Sequence, residues 1–419
     1  MKTMKGMLLI LVILVAISSC TQQGDQNPFF SEYKTPFETA PLCNIREEHY
    51  MPAFKEGIHR HKEEIKAIIT NPEAPTFANT IEALEYSGDQ LDKVNNVFYN
   101  LNAAHTNDQM QSIAREIAPL LSKHSDDINL NDTLFQRVKA VYEQKDKLSL
   151  SIEQKTLLEN YYKDFIRSGA NLSPNKKARM REINAELSVL SLKFGENILK
   201  EDNAFELVIE NEDDLAGLPD NVIVSGGEAA KERGYEGKWV YTLHKPSMIP
   251  FLQYSEKRQL REKIFTAYVN RGNNNDEYDN KAIAAKIAAL RAERAQLLGF
   301  TTHAHFILDK NMARSPENVY ELLDKLWTPA LKRAKAETRE LQKMINREDN
   351  DFAMEPWGWW YYAEKLKKEK YDLDDEVLRP YFQLENVRQG AFDLATKLWG
   401  ITFIERKDIP IYHEDVKVF

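Results

Sequence analysis

Apolar residues that recur every three or four positions constrain this chain more than any other feature of it. From Ser173 to Lys200, the positions Met180, Ile183, Leu187, Leu190, Phe194 and Ile198 follow that spacing, which places them on one face of a helix. Ser173 can cap this helix and Pro174 suits its first position. Asn79 to Leu101 repeats the pattern at Ile81, Leu84, Leu91, Val94, Phe98 and Leu101, with Gly88 expected to kink or break it. Lys281 to Leu298 carries Ile283, Ile287, Leu290 and Leu297 on one side and stops at Gly299. Ser315-Pro316-Glu317 opens a further long helix. With 16 glycines and 16 prolines in 419 residues, turns are too few for a β architecture. The expected fold class is mainly α.

One stretch departs from this. Ala204 to Ile209 alternates apolar and polar residues, turn residues follow, and Lys238 to Leu243 alternates again. The pattern predicts a small β element within 204–243. Asp415 to Phe419 also reads as the start of a strand, without a visible partner. No internal repeat and no linker interrupts the rest, so 41–419 is expected to form one continuous helical body.

The N-terminus reads as a targeting segment. Lys2 and Lys5 precede an apolar run from Met7 to Ile17, which is too short for a comfortable membrane span. The run ends in Ile17-Ser18-Ser19-Cys20, a pattern similar to the bacterial lipobox. The expectation is a lipoprotein signal peptide over 1–19, lipidation of Cys20, and a tether over 20–40. The chain would then be exported, anchored to a bacterial membrane through the lipid on Cys20, and turned towards the periplasm. Thr21 rather than Asp follows Cys20, which favours the outer membrane. The other cysteine, Cys43, is expected to be a small buried hydrophobe. The net charge is −9, or −11 without the two leader lysines. With no basic block, nucleic acid is excluded as a partner.

Residues with the chemistry for metal or catalysis are scattered. His59-x-His61 and His303-x-His305 are spaced for ligands only on a strand, yet both lie in helical segments. A solvated face is expected for the first pair and no metal for the second. Asp213-Asp214 and Asp374-Asp375-Glu376 read as helix-start or loop acids. Ser225-Gly226-Gly227 reads as a turn or a helix N-terminus, not a nucleotide cradle. The cluster Trp357 to Tyr362 is expected to be a buried helix anchor. Only His413 among the nine histidines is followed by Glu, at Glu414, and Lys417 stands where His-Glu-x-x-His would need its second histidine. No catalytic residue and no metal ligand is therefore assigned.

Several ordered motifs carry a resemblance. Asn27-Pro28-Phe29-Phe30, Glu48 to Phe54, Pro75 to Ile81, Ala83 to Gly88 and Ser122 to Ile128 resemble the opening of bacterial peptidyl-dipeptidases. Lys310 to Ala313, Tyr361 to Lys365, Leu378 to Phe382, Trp399-Gly400-Ile401 and Tyr412 to Val416 continue the series. These enzymes belong to the thimet oligopeptidase (neurolysin) family of zinc metallopeptidases. Gly358 departs from the pattern, which usually has Asp there. The resemblance implies a helical body forming one wall and the roof of a channel for short peptides, in an enzyme that is monomeric when complete. It implies zinc in the complete enzyme, held by a His-Glu-x-x-His motif and a later Glu, and none bound by this chain. The expectation is the N-terminal part of a peptidase that releases C-terminal dipeptides, inactive alone. The alternative is a complete non-catalytic lipoprotein with a helical surface for peptides or a partner.

Overall fold

The computed structural model describes residues 27–419 apart from Asp349 and Asp374. The leader and Cys20 lie outside them. The described chain is mainly α, with one two-stranded ribbon. Its residues divide into two compact units, 27–170 with Phe403–Phe419, and Asn171–Thr402.

In the first unit, α1 (Glu47–Thr70) buries Tyr50, Ala53, Phe54, Gly57, Ile65 and Ile68 along one stripe. Arg46 N donates to His49 Nδ1 at 3.0 Å, and Glu47 and Glu48 sit favourably in the first turn. The run Asn79 to Leu101 is broken as the sequence anticipates. A turn of wider helix at Phe77–Glu82 passes into Ala83–Glu85, and α2 (Asp89–Ala104) starts after Gly88 at φ +91°. Thr76 and Asn79 cap the first piece reciprocally, at 2.8 and 3.1 Å. Next come α3 (Asp108–Asn129), α4 (Asp132–Tyr142) and α5 (Ile152–Ser168). Their core gathers Ile68, Ile81, Leu134, Phe135, Leu158 and Phe165.

A second layer corrects two expectations. The aromatic rings of Phe29, Tyr50, Phe98 and Phe54 touch in series, with centroids 5.6, 5.0 and 5.3 Å apart. Phe29 is fully buried there, and Asn27 caps its turn at 3.1 Å. The part of the expected tether (20–40) that starts at Asn27 is thus held against α1 through Phe29, because burying an aromatic side chain of this size is worth about 1.5–3 kcal/mol. The expected lone strand at Asp415 to Phe419 has a partner after all. Val418 pairs antiparallel with Arg406, whose N–H reaches Val418 O at 2.8 Å.

In the second unit, α6 (Pro174–Ala204) buries Met180, Ile183 and Leu187, while Phe194 further along the same stripe is exposed. Ser173 occupies the cap position but its hydroxyl makes no capping bond; Pro174 marks the start. The ribbon forms where alternation predicts it. β1 (Leu207–Ile209) pairs antiparallel with β2 (Trp239–Tyr241), Val208 opposite Val240. Between them runs α7 (Asp220–Glu232). Ser225-Gly226-Gly227 is thus neither a turn nor a helix N-terminus but the middle of α7. A Cβ on Gly226 would stand 2.9 Å from Tyr241 Cζ and Oη, so glycine lets the helix settle on the ribbon.

The remaining helices are α8 (Lys245–Tyr254), α9 (Arg258–Val269), α10 (Lys281–Leu297), α11 (His303–Leu308), α12 (Pro316–Arg347), α13 (Trp359–Tyr371) and α14 (Leu384–Trp399). α6 and α10 are joined by a two-pronged ion pair, Arg179 to Glu293, at 2.7 and 2.8 Å. The aromatic cluster expected to be a buried anchor is buried only at Tyr362; Trp357, Trp359 and Tyr361 are half-buried and Trp360 is exposed. Tyr362 packs with Leu341, Met344 and Ile345 at the C-terminal half of α12. Beside it Arg261 is 1% exposed, donates to Ser255 O at 2.5 Å and Trp357 O at 3.3 Å, and lies 4.2 Å from the Tyr361 ring. Carbonyl dipoles and a ring face take the place of a carboxylate for this buried cation.

Two substitutions test these contacts by denaturation followed through tryptophan fluorescence. Gly226→Ala should lower stability by about 1–2 kcal/mol, overpacking against Tyr241 outweighing the gain in helix propensity; an unchanged midpoint would refute the close approach. Gly358→Ala should be neutral or stabilise by up to about 1 kcal/mol. Its Cβ would meet Met354 Sδ at 3.4 Å and the Tyr362 ring at 3.7 Å, ordinary contacts.

Candidate functional site

The histidines separate on inspection. His59 is exposed, as expected. His61 is not on a solvated face: Nε2 lies 3.2 Å from Ser87 Oγ and Nδ1 3.0 Å from His124 Nε2. The periodicity of α1 gave no sign of this, because both partners come from distant segments. His303 sits in the first turn of α11, and burial beside Arg294 and Arg291 holds its imidazole below the usual range. His305 bonds to Thr302 Oγ1 at 2.8 Å and lies 3.8 Å from Glu317. His413 packs edge-on against His105 at 5.3 Å and is 3.5 Å from Asp415. Cys43 is exposed rather than buried, because the short turn Leu42–Asn44 lacks the apolar cover its sequence neighbours suggested.

Among the described residues no three His, Cys, Asp or Glu side chains stand together in a way that could hold a metal ion. The described residues therefore bring together no ligand set for the zinc that the resemblance implies. Asp214 is 3.5 Å from Lys257, an ion pair rather than a catalytic carboxylate pair, and Asp375 stands at the start of the four-residue helix Asp375–Leu378. Among the described residues no helix is long and apolar enough to cross a membrane.

What the chain offers instead is surface. The N-terminal half of α12, from Tyr320 to Ala330, is exposed throughout. Tyr320, Leu323 and Trp327 follow at steps of three and four. With Leu326 and Ala330 they line a shallow groove of about 430 Å³, and Asp324 lies on its wall. Trp327 is 64% exposed. On α14 a second stripe runs through Leu384, Val387, Leu394 and Leu398, ending at Trp399, 70% exposed. Such stripes are the feature that normally drives a helix onto a neighbour. A separate cleft of about 390 Å³ opens between α7 and α8, lined by Ser225, Arg233, Tyr241, Ser247 and Arg379 among others. Arg233 already pairs with Glu206 at 3.3 Å.

Sequence comparison sets these surfaces in context. Residues 251–419 match the model of Peptidase family M3. Over 94% of its length the chain is 37% identical to the dipeptidyl carboxypeptidase of Escherichia coli strain K12, covering 58% of that protein. The dipeptidyl carboxypeptidase of Salmonella typhimurium is as similar, at 37% identity and the same coverage. Oligopeptidase A of Haemophilus influenzae is 33% identical over 90% of the chain and 56% of its own length. The chain thus spans somewhat more than half the length of the curated relatives it matches. These similarities, running in order through both structural units, mean that the chain belongs to peptidase family M3, the thimet oligopeptidase family.

Proposed function

We propose that this chain is the helical, peptide-guiding part of a zinc metallopeptidase that acts on short peptides and releases C-terminal dipeptides. Hydrolysis then needs a His-Glu-x-x-His segment, which these 419 residues do not contain. The observation that carries the reading is the pair of exposed apolar stripes on α12 and α14. Contiguous apolar surface of this kind marks an interaction site in soluble proteins. Covering even a few of its large side chains is worth several kcal/mol, at about 1.5–3 kcal/mol each. Further peptidase polypeptide is the cover that family membership suggests. The leader and Cys20 support export and lipid anchoring at a bacterial membrane, facing the periplasm, with short peptides as partners.

The test uses the purified chain with zinc and a blocked tripeptide. The chain alone should release no dipeptide and bind no stoichiometric zinc. Trp327→Ser with Leu398→Ser should lower the binding of an apolar fluorescent dye at least severalfold while the folded signal is retained. Chelator-sensitive cleavage by the chain alone would overturn the proposal, as would dye binding unaffected by the double substitution.

A further inference from the structure

The junction of α1, α3 and the turn before α2 holds two histidines that the peptidase reading does not use. His61 Nδ1 lies 3.0 Å from His124 Nε2, with the rings edge to face at 4.9 Å. On its other side, His61 Nε2 lies 3.2 Å from Ser87 Oγ. Ser87 donates its hydroxyl proton to Leu84 O at 2.7 Å. A hydroxyl has one proton, so towards His61 it can only accept. His61 therefore carries its proton on Nε2 and offers a lone pair at Nδ1. The proton between the rings belongs to His124 Nε2. This leaves His124 Nδ1 unprotonated, buried and without a hydrogen-bond partner, in a residue only 4% exposed.

The surroundings fix this arrangement. A Cβ on Gly88 would stand 2.9 Å from His61 Cε1, so only glycine lets the ring come this close to the turn. Gly88 N donates to Glu64 Oε2 at 2.7 Å, closing the turn onto α1. The charged groups acting on the pair are Lys62 and Glu64 on α1, Asp92 on α2, and Lys123 and Asp127 on α3. Asp127 is occupied by Lys123 at 2.6 Å. A proton arriving at His124 Nδ1 would create a buried cation beside another imidazole and two lysines.

We propose that Ser87, His61 and His124 form an acid-sensitive latch, which joins α1, α3 and the Gly88 turn while both rings are neutral and opens when His124 Nδ1 takes up a proton. Burial is the first cause pushing His124 down, to about 4, and it lowers His61 too. The fold thus favours the neutral rings. Their contribution is fully present above the unfolded value near 6.5 and is lost as pH falls from there towards about 4.

Amide hydrogen exchange on the whole chain, corrected for intrinsic rates, tests this at pH 7.5 and 5.0. Segments 57–64, 84–92 and 120–127 should lose protection by roughly thirtyfold at the lower pH. All six tryptophans lie within Asn171–Thr402, so their fluorescence should stay unchanged. His124→Gln keeps an Nε2 donor for His61 and should abolish most of the pH effect. Equal acid sensitivity in this variant, or simultaneous loss of the tryptophan signal, would overturn the latch. Imidazole nitrogen NMR of the unsubstituted chain reads the tautomers independently of any variant. Protons on both Nε2 atoms support the latch, and a proton on His124 Nδ1 at pH 7.5 refutes it.

Discussion

A helix satisfies its own backbone, so what remains to be settled is where its apolar stripe goes. In this chain that requirement decides nearly everything. α1 finds Phe29, Phe98 and the core around Leu134; α6 finds α10; α7 finds a two-stranded ribbon too small to stand alone. The ribbon illustrates the dependence from the other side. Two strands of three residues each are marginal in water, and they persist because α7 and α8 close over Leu207, Ile209 and Tyr241. The two stretches that fail to bury their stripes, the first half of α12 and the whole of α14, are for that reason the most informative surfaces on the molecule.

Much of this was legible in the residues. Periodicity located the helices of 79–101, 173–200, 281–298 and the start at Ser315, and alternation located both strands. These signals are local, and local signals report local geometry. What escaped was decided by distant partners. His61 looked solvated because its neighbours in sequence are Arg60 and Lys62, yet Ser87 and His124 enclose it. Gly226 looked like turn chemistry because its reason for being glycine, Tyr241, lies fifteen positions away. The exposed stripes escaped too, because Trp327 and Leu398 carry the same spacing as buried positions and only their exposure sets them apart.

The buried cation Arg261 shows how the second unit solves a problem without charge pairing. An isolated guanidinium in a protein interior is costly, but main-chain carbonyls of Ser255 and Trp357 and the face of Tyr361 give it a polar seat. In return it joins the end of α8 to the turn that launches α13. Three segments of no great propensity are thus held by one side chain, beside which Tyr362 packs into its apolar cluster.

Two adjacent glycines in the middle of α7 have one further consequence. Each weakens a helix by about 1 kcal/mol relative to alanine, so this thirteen-residue segment has little tendency to form by itself. Its existence is conditional on Tyr241 already standing in place, and so on the pairing of β1 with β2. In time, α7 should therefore be the follower in its unit, assembling onto the ribbon late and leaving early. A cooperative fold here contains a helix that acts as a tenant of its sheet.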